Sequence, residues 1–323
     1  MKKIAIICGG FSSEYDISLK SAATILANFP KEFDAFLIEL NKDGWTAIYK
    51  SGHYKVDPWT LSFTTEKELV KADAAIIYIH GNPGENGRLQ ALFEMQNIPF
   101  VNSGGLASHL SFDKWYCNQF LNNFGIKIAQ SLFLKDENQY TADYIVAELG
   151  LPCFVKPTDS GSSYGISKVT KKEDVLPALK TAFAEGKMVV VERFLKGTEV
   201  TCAVYQTKDG IKALPLTEIV SENDFFDYGA KYLGESQEIT PARVSDDIKV
   251  KVQVIAKEVY QLLNLRSISR VDFMVVDGEP YVIEVNTTPG FSDASLVPQM
   301  LTCAGIKIAD FWRDIVNFEL NLN

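Results

Sequence analysis

The sequence predicts an α/β protein of three successive units, and three observations support this interpretation. With 323 residues and 46% hydrophobic content, the chain is long enough for two or three domains with their own cores. Its first hundred residues alternate short apolar segments with helical patterns, which is typical of a parallel sheet with helices on its faces. Two further blocks of strand and helix patterns follow, and we place the domains at residues 1–103, 104–191 and 192–323.

The first unit shows the alternation most clearly. The strand patterns KIAIICGG, FDAFLIEL and ADAAIIYIHG are interleaved with the helical patterns ISLKSAATILANF and RLQALFEMQN. Ligands of such sheets bind beyond the carboxyl ends of the strands, where Gly9-Gly10 and His80-Gly81 fall. A Rossmann-like substrate-binding unit is therefore expected at the N-terminus.

The second unit begins near NSGGL, and its pattern ASHLSFDKWYCNQFLNNFG predicts one helix that ends at Gly125. The pattern TADYIVAELG predicts another helix, which ends at Gly150. The third unit contains further strands, the amphipathic pattern DDIKVKVQVIAKEVYQLLNL and two closing helices. Within it, the stretch SENDFFDYGAKYLGESQEITPAR is irregular and too long for an ordinary connection, so we expect a functional lid there.

Composition excludes several classes of protein. No stretch approaches the roughly 20 uncharged apolar residues of a membrane span, and the first residues show no cleavable leader, so we expect a cytoplasmic protein. The five cysteines form no CxxC pair, which argues against a disulfide framework or a zinc site. A formal charge of −9 argues against general affinity for nucleic acid or anionic membrane.

Polar residues interrupt two apolar strand patterns in RVDFMVVDGEPYVIEVNTTPG, residues 270–290. Glu284 and Asn286 are two apart on one strand, so their side chains share a face. Two carboxylates and an amide oxygen, supplied by these residues and Asp272, form a hard oxygen ligand set that suits Mg²⁺ bridging phosphates. Polar residues scattered along a solvated strand edge would give the same pattern.

The register of this predicted hairpin decides between a metal site and a solvated strand edge. An odd-length loop around Asp277-Gly278 places Asp272 opposite Glu284 and Arg270 opposite Asn286. The two-residue Asp-Gly turn that local rules favour would instead place Asp272 opposite an isoleucine. We prefer the first register, because buried acids without a cation are costly, whereas a bulge or longer loop costs little.

Other segments have features of phosphate and nucleotide sites. The small residues of KPTDSGSSYGISKV lie between a strand ending at Lys156 and another starting at Ile166, and such a loop can offer backbone N–H groups to phosphate. In VVVERFLKGTEV, the acids Glu192 and Glu199 could hold an adenine edge and ribose hydroxyls. Each pattern alone is also typical of plain turns and solvated glutamates.

The ordered set of motifs is more specific than any one of them. In sequence order they are GGFSSEYDIS, HGNPGENG, FVKPTDSGSSYGISKV, VERFLKGTEV, FFDYGAKY, RVDFMVV and EVNTTPGFSDASLVP. The set resembles the D-alanine–D-alanine ligases of the ATP-grasp superfamily over essentially the whole chain. The resemblance implies an N-terminal Rossmann-like domain followed by two α+β grasp domains. It also implies ATP, two Mg²⁺ (with Mn²⁺ as a possible substitute), and an acyl phosphate of one D-alanine that the amine of a second attacks.

The resemblance also implies roles for individual residues. Asp272, Glu284 and Asn286 would hold the two metals, with Glu284 bridging, and Arg270 with the Gly290 backbone N–H would stabilise the tetrahedral intermediate. The residues implied to bind ATP are Lys114, Lys156, Glu192, Phe194, Leu195, Glu199 and Lys231.

For the substrates, the resemblance implies that Glu14 binds the ammonium group of the first D-alanine and is linked through Ser162 to Tyr232. His80 would lie close to the same substrate. Ser295 and Leu296 would receive the carboxylate of the second substrate. The implied assembly is a homodimer.

Three alternatives remain at this stage. A D-alanine–D-lactate or D-alanine–D-serine ligase would keep the fold and change the product, and Tyr232 favours D-alanine because depsipeptide-forming relatives depart from tyrosine in this loop. A non-catalytic ATP-binding protein should have lost metal or arginine positions, which are all present. A biotin-dependent carboxylase has no use for the set Glu14, Ser162 and Tyr232.

Overall fold

The computed structural model describes residues 1–161, 164–221 and 236–322. Of the residues named above, Ser162, Lys231 and Tyr232 lie outside this part, as does most of the predicted lid. No helix within the described ranges is both long and apolar enough to cross a bilayer.

The first unit is built on a five-stranded sheet in the order β4-β3-β2-β1-β7. Its strands are β1 (Lys3–Gly9), β2 (Asp34–Asn41), β3 (Gly44–Tyr49), β4 (Gly52–Lys55) and β7 (Ala74–Ile77). The predicted parallel pairing holds for β1 with β2 and β7, but β3 and β4 extend the sheet as an antiparallel edge. The edge arises because only two residues separate β2 from β3, which permits a hairpin but no crossover. A small hairpin of β5 (Ser62–Thr64) and β6 (Leu69–Lys71) and the helices α1 (Tyr15–Ala27) and α2 (Arg88–Gln96) complete the unit.

The predicted helix ending at Gly125 is two helices. These are α3 (Gly105–Phe112) and α4 (Lys114–Asn122). The chain breaks at Asp113, whose backbone is extended and whose side chain accepts the Tyr116 N–H and so caps α4. The prediction of one continuous helix was wrong because aspartate favours this capping role over a helix interior.

The second unit contains an antiparallel sheet in the order β10-β9-β11-β8. The elements are β8 (Ser131–Leu134), α5 (Ala142–Leu149), β9 (Cys153–Pro157), β10 (Ser167–Val169), α6 (Val175–Glu185) and β11 (Val189–Arg193). Helix α5 begins after the Thr141 cap and ends before Gly150, as predicted. The apolar faces of α5 and α6 cover the sheet, so β9 and β11 are fixed side by side.

The third unit holds a six-stranded sheet in the order β15-β14-β12-β16-β17, with β13 also paired to β12. Its elements are β12 (Thr198–Thr207), β13 (Gly210–Ala213), β14 (Thr217–Ser221), β15 (Ser236–Ile239), α7 (Asp246–Leu262), β16 (Ile268–Val276), β17 (Glu279–Asn286), α8 (Leu296–Cys303) and α9 (Ile308–Glu319). The predicted amphipathic helix and both closing helices are confirmed. Strands β14 and β15 lie partly within the stretch predicted to be irregular, so that prediction was wrong at both of its ends.

Two cores connect the units. Buried residues of the first sheet pack with α8 and α9, including Trp312, and this core reaches β12. Residues of α4, such as Leu121, share a core with α7 and the third sheet. These contacts bring the C-terminal ends of β1 and β7 close to the β16–β17 hairpin. The domain boundaries given above stay a prediction.

Candidate active site

A cavity of about 320 Å³ is lined by residues from all three units. The predicted site residues that line it are Glu14, His80, Lys114, Arg270, Glu284, Asn286, Gly290, Ser295 and Leu296. Asp272 lies behind Arg270, and Lys156, Glu192, Phe194, Leu195 and Glu199 form a separate group on β9, β11 and the start of β12. Residues distant in the sequence therefore meet at one cleft.

The β16–β17 hairpin pairs Asp272 with Glu284 and Arg270 with Asn286, which confirms the preferred register. The odd-length loop expected with it was wrong, because the loop is the two-residue Asp277-Gly278 turn, with positive φ at both residues. A bulge next to Asp272 supplies the extra residue. Local turn rules and site chemistry are thus both satisfied.

Arg270 and Asp272 form a buried bidentate ion pair. The guanidinium donates from Nε to Oδ1 and from a terminal nitrogen to Oδ2, each at 2.7 Å. The same carboxylate accepts hydrogen bonds from Thr201 and, at 3.1 Å, from the Asn286 amide. Four donors therefore fix Asp272, and Asp272 fixes the direction of Arg270 toward the cavity.

Oxygen donors for a metal come from the same face of this hairpin. Asp272 and Glu284 are direct cross-strand neighbours and Asn286 lies two residues further along β17. In the described part of the chain, no group of three or more His, Cys, Asp and Glu side chains is arranged to hold a metal ion. The two carboxylates and the asparagine amide remain the candidate set because their oxygen atoms suit a hard cation such as Mg²⁺.

Lys114 occupies the first position of α4 and points to Glu284. Its Nζ donates to the Ser160 carbonyl at 2.7 Å and lies 3.6 Å from Glu284 Oε2. Its backbone N–H donates to the Thr158 carbonyl at 2.8 Å, and the Thr158 hydroxyl donates to the capping Asp113 at 2.8 Å. The break between α3 and α4 therefore places one lysine between the small-residue loop and the hairpin.

Lys156 and Glu192 are diagonal neighbours on β9 and β11 and form an ion pair at 2.7 Å. Burial lowers the pKa of Lys156, but attraction to Glu192, Glu284 and Glu199 outweighs burial and leaves the pKa above its ordinary value. Phe194, just after β11, stacks beneath the ammonium of Lys168 at 4.8 Å. The predicted nucleotide group is thus a charged, half-buried cluster with one aromatic wall.

Glu14 and His80 line the part of the cavity that the first unit provides. The Ser12 hydroxyl donates to the His80 carbonyl at 2.7 Å, while the ring Nε2 lies 3.2 Å from the Ser21 hydroxyl. Burial lowers the pKa of His80, and the nearby Glu14 opposes this shift. A Cβ at Gly161 would lie 2.7 Å from Glu14 Oε2, so glycine lets the small-residue loop approach this carboxylate.

The loop from Gly290 to Leu296 forms the third wall. The Ser295 hydroxyl accepts the Ser292 N–H at 3.0 Å and lies where a Cβ on Gly290 would contact it, also at 3.0 Å. Tyr78 donates its phenol hydrogen to the Pro289 carbonyl at 2.8 Å, which ties this loop to the first sheet. Helix α8 then begins at Leu296 with its N-terminus facing the cavity.

Two acidic residues that line the cavity were missed by the sequence analysis. Glu85 accepts the Gly81 N–H at 3.0 Å, and burial, followed by repulsion from Glu14, raises its pKa to about 8. Glu238 lies on β15, within the stretch predicted to be irregular. The motif HGNPGENG contained a signal for Glu85, since it is an acid among turn residues, whereas the signal for Glu238 was hidden by the wrong structural prediction.

Comparisons with known proteins agree along the whole chain. Residues 3–103 match the family model described as D-ala D-ala ligase N-terminus, and residues 120–317 match D-ala D-ala ligase C-terminus. A D-alanine–D-alanine ligase of Phocaeicola vulgatus is 42% identical over 318 residues, which cover 98% of each chain. One of Parabacteroides distasonis is 43% identical over 322 residues, with 99% of this chain and 98% of the relative covered.

Solved structures give the same result for the fold. The D-Ala:D-Ser ligase VanG of Enterococcus faecalis superposes with a TM-score of 0.87 at 31% identity, covering 98% of this chain and 99% of its own. D-alanyl-alanine synthetase A of Vibrio cholerae gives 0.88 at 29% identity, with 99% of both chains covered. A Bacillus anthracis D-alanine–D-alanine ligase complexed with ATP gives 0.79 at 28% identity, covering 100% of this chain and 98% of its own.

The predicted three-part α/β architecture is confirmed as the ATP-grasp fold of these ligases. Both family models and relatives aligned along nearly the full length of the sequence lead to the same conclusion: this chain belongs to the D-alanine–D-alanine ligase family.

Proposed function

We propose that the protein is an ATP-dependent ligase that joins two D-alanines into D-alanyl-D-alanine through an acyl phosphate, for peptidoglycan precursor synthesis. One observation carries the proposal. A single cavity is lined by the carboxylates Glu14 and Glu284, by the cationic Lys114 and Arg270, and by Ser295 and Leu296 at the start of α8. This arrangement suits two amino acids aligned on either side of a transferred phosphoryl group.

Asp272, Glu284 and Asn286 would hold two Mg²⁺ ions, or Mn²⁺ in their place. Bound Mg²⁺ neutralises the charge of the triphosphate during phosphoryl transfer. The protein adds Lys114 and Lys156, whose ammonium groups are already directed by the Ser160 carbonyl and by Glu192. Glu192, Glu199 and the backbone of Phe194 and Leu195 would bind adenine and ribose.

Glu14 would bind the ammonium group of the first D-alanine, with His80 beside it, so that the carboxylate of this substrate points to the phosphate. Attack by the second amine produces a tetrahedral oxyanion. Arg270 and the Gly290 N–H would donate to that oxyanion, and Arg270 is held for this purpose by its bidentate bond to Asp272. Ser295 and Leu296 at the start of α8 would receive the second carboxylate, because a helix N-terminus offers free N–H groups.

A D-alanine–D-serine ligase is the second candidate function, because VanG, a D-Ala:D-Ser ligase, shares this fold over nearly the whole chain. The D-alanine–D-alanine ligases of Phocaeicola vulgatus and Parabacteroides distasonis are nearer in sequence, at 42% and 43% identity against 31%. The proposed lid residues Lys231 and Tyr232 and the linking Ser162 would contribute to this choice, but they lie outside the described residues.

Phosphate release from ATP tests the function. The purified protein is assayed with Mg²⁺ and D-alanine alone, then with added D-lactate or D-serine, at neutral and alkaline pH, and the products are identified by mass. We expect one D-alanyl-D-alanine for each phosphate released with D-alanine alone. ATP binding without phosphate release would indicate a non-catalytic protein, and preferential formation of a mixed product would identify the second candidate.

Two further proposals follow from the family resemblance and the composition. We propose a cytoplasmic homodimer that binds neither nucleic acid nor membrane, in keeping with a formal charge of −9. Light scattering after size-exclusion chromatography measures the assembly, and a monomer at micromolar concentration would contradict it.

A further inference from the structure

Glu238 places a carboxylate on the wall of the cavity next to the predicted second-substrate site. It lies on β15, opposite Ile219 of β14, and its side chain is half-buried. The Gln299 amide donates to Glu238 Oε2 at 2.7 Å and also to the Ala294 carbonyl at 3.0 Å. Since Gln299 lies on α8, one turn after Ser295, this bond holds the carboxylate over the start of that helix.

Burial dominates the electrostatic environment of Glu238. Burial raises its pKa above the ordinary value, and this effect exceeds the opposing contributions of the Gln299 hydrogen bond and the positive charge of Arg270. Glu238 thus contacts the neutral Gln299 amide of α8, and the nearby Arg270 guanidinium of β16 is already paired with Asp272. A cationic ligand would stabilise the ionised form of a carboxylate in such an environment.

The other cavity carboxylates in the described part of the chain have different partners. Glu284 lies beside Lys114 and opposite Asp272. Glu85 is bonded to the Gly81 backbone, and Glu14 faces the small-residue loop. Glu238 is the remaining cavity carboxylate among the described residues, and its bond to Gln299, which also bonds the Ala294 carbonyl, places it near Ser295.

We propose that Glu238 binds the ammonium group of the second amino acid and accepts one of its protons before attack. The inference rests on the proposed function and assigns a residue to its acceptor step. The ammonium loses a proton to the carboxylate and becomes an amine. The amine then forms the C–N bond at the acyl phosphate, the C–O bond to phosphate breaks with its electron pair leaving on phosphate, and the second amine proton passes to solvent.

The position of Glu238 also affects the choice of acceptor. An amino acid presents a cation to this carboxylate, whereas a 2-hydroxy acid presents a neutral hydroxyl that gains no charge-assisted bond. Glu238 would therefore favour D-alanine or D-serine over D-lactate as the second substrate.

The test compares wild type with Glu238→Gln, Glu238→Asp and the exposed control Glu258→Gln in two reactions. Dipeptide formation uses both substrate sites, whereas trapping of the acyl phosphate by hydroxylamine, which is neutral near neutral pH, reports only the first site and ATP. For Glu238→Gln we expect the KM of the second D-alanine to rise about 10- to 100-fold near neutral pH, the effect of a lost hydrogen bond to a charged group. Hydroxamate formation should remain within about twofold of wild type, because it needs no ammonium site.

Two further readouts separate this role from a merely structural one. The loss in Glu238→Gln should shrink at alkaline pH, where the free amine needs no acceptor, and Glu238→Asp should recover part of the affinity. An unchanged KM for the second D-alanine, or an equal loss of hydroxamate and dipeptide, would overturn the inference while leaving the ligase function in place. Wild-type protein that forms neither product would overturn the proposed function and this inference with it.

Discussion

Replacing Asp272 with asparagine should destabilise the fold as well as abolish turnover. The mutation keeps the shape of the side chain but removes the charge that compensates Arg270. Both nitrogens that Arg270 directs at this carboxylate are at 2.7 Å, and the two side chains are only 15% and 11% exposed. From the sequence alone we would expect normal folding, since the charge is assigned only to the metal.

The magnitude follows from burial. Removing one partner of a buried pair leaves an uncompensated charge, at a cost of about 3–5 kcal/mol, and little solvent is present here to reduce it. Glu284→Gln is the matched comparison. Its partner Lys114 is 3.6 Å away and keeps its bond to the Ser160 carbonyl, so losing the Glu284 charge should cost less than losing the Asp272 charge.

Urea unfolding followed by far-UV circular dichroism, in EDTA to remove divalent cations, measures both free energies. Exposed Asp314→Asn serves as the control for the same chemical change. We expect Asp272→Asn to be less stable than Glu284→Gln by at least about 2 kcal/mol, while both lose nearly all Mg²⁺-dependent turnover. Equal stability of the two variants would refute the view that Asp272 supports Arg270, and normal turnover of Glu284→Gln would refute its metal role.

Three other variants have expected outcomes. Arg270→Met should lower kcat about 10²- to 10³-fold with little change in the KM for ATP, and the reverse pattern would assign Arg270 to nucleotide binding. Glu192→Gln should weaken ATP binding measured by calorimetry, because Lys156 loses its 2.7 Å partner; unchanged affinity would contradict the nucleotide role. Folding raises the pKa of Glu85 to about 8, so its contribution to stability is present below the unfolded value of 4.5 and is lost as pH rises. The free energy of unfolding of wild type relative to Glu85→Gln should therefore fall by up to about 1.4 kcal/mol per pH unit between those values, and a flat difference would contradict the shift.

The sequence motifs predicted which residues lie together in the candidate site. The helix and strand boundaries that bring them together were predicted less well. The sequence placed Lys114 inside one long helix, but the structure breaks that helix at Asp113. The break gives Lys114 its position, because the cap and the Thr158 bonds fix the first turn of α4 against the small-residue loop. Helical periodicity continues across the break, so an apolar pattern alone does not reveal it.

The acids Glu85 and Glu238 were missed in the sequence for a different reason. Each lies in a segment with abundant turn residues or no clear periodicity, where a glutamate is usually solvated. Their significance depends on what surrounds them in three dimensions: the Gly81 amide for one, and Gln299 on a distant helix for the other. Glu238 and Gln299 are 61 residues apart in the sequence, so local sequence patterns do not predict their contact.

The bulge in β17 shows why turn propensity and site chemistry gave conflicting registers. Val282 is fully buried opposite Phe273, whereas Glu284, only two residues later, faces Asp272 on the cavity side. In a regular strand, residues two apart share a face, so one of them would have to leave its environment. The inserted residue, Ile283, lets both remain where they are, and its carbonyl accepts a hydrogen bond from Asn118 of α4 at 3.3 Å. Glu284 and Asn286 thus face the cavity, with Asp272 opposite Glu284, because one residue was added to the strand and not because the turn was lengthened.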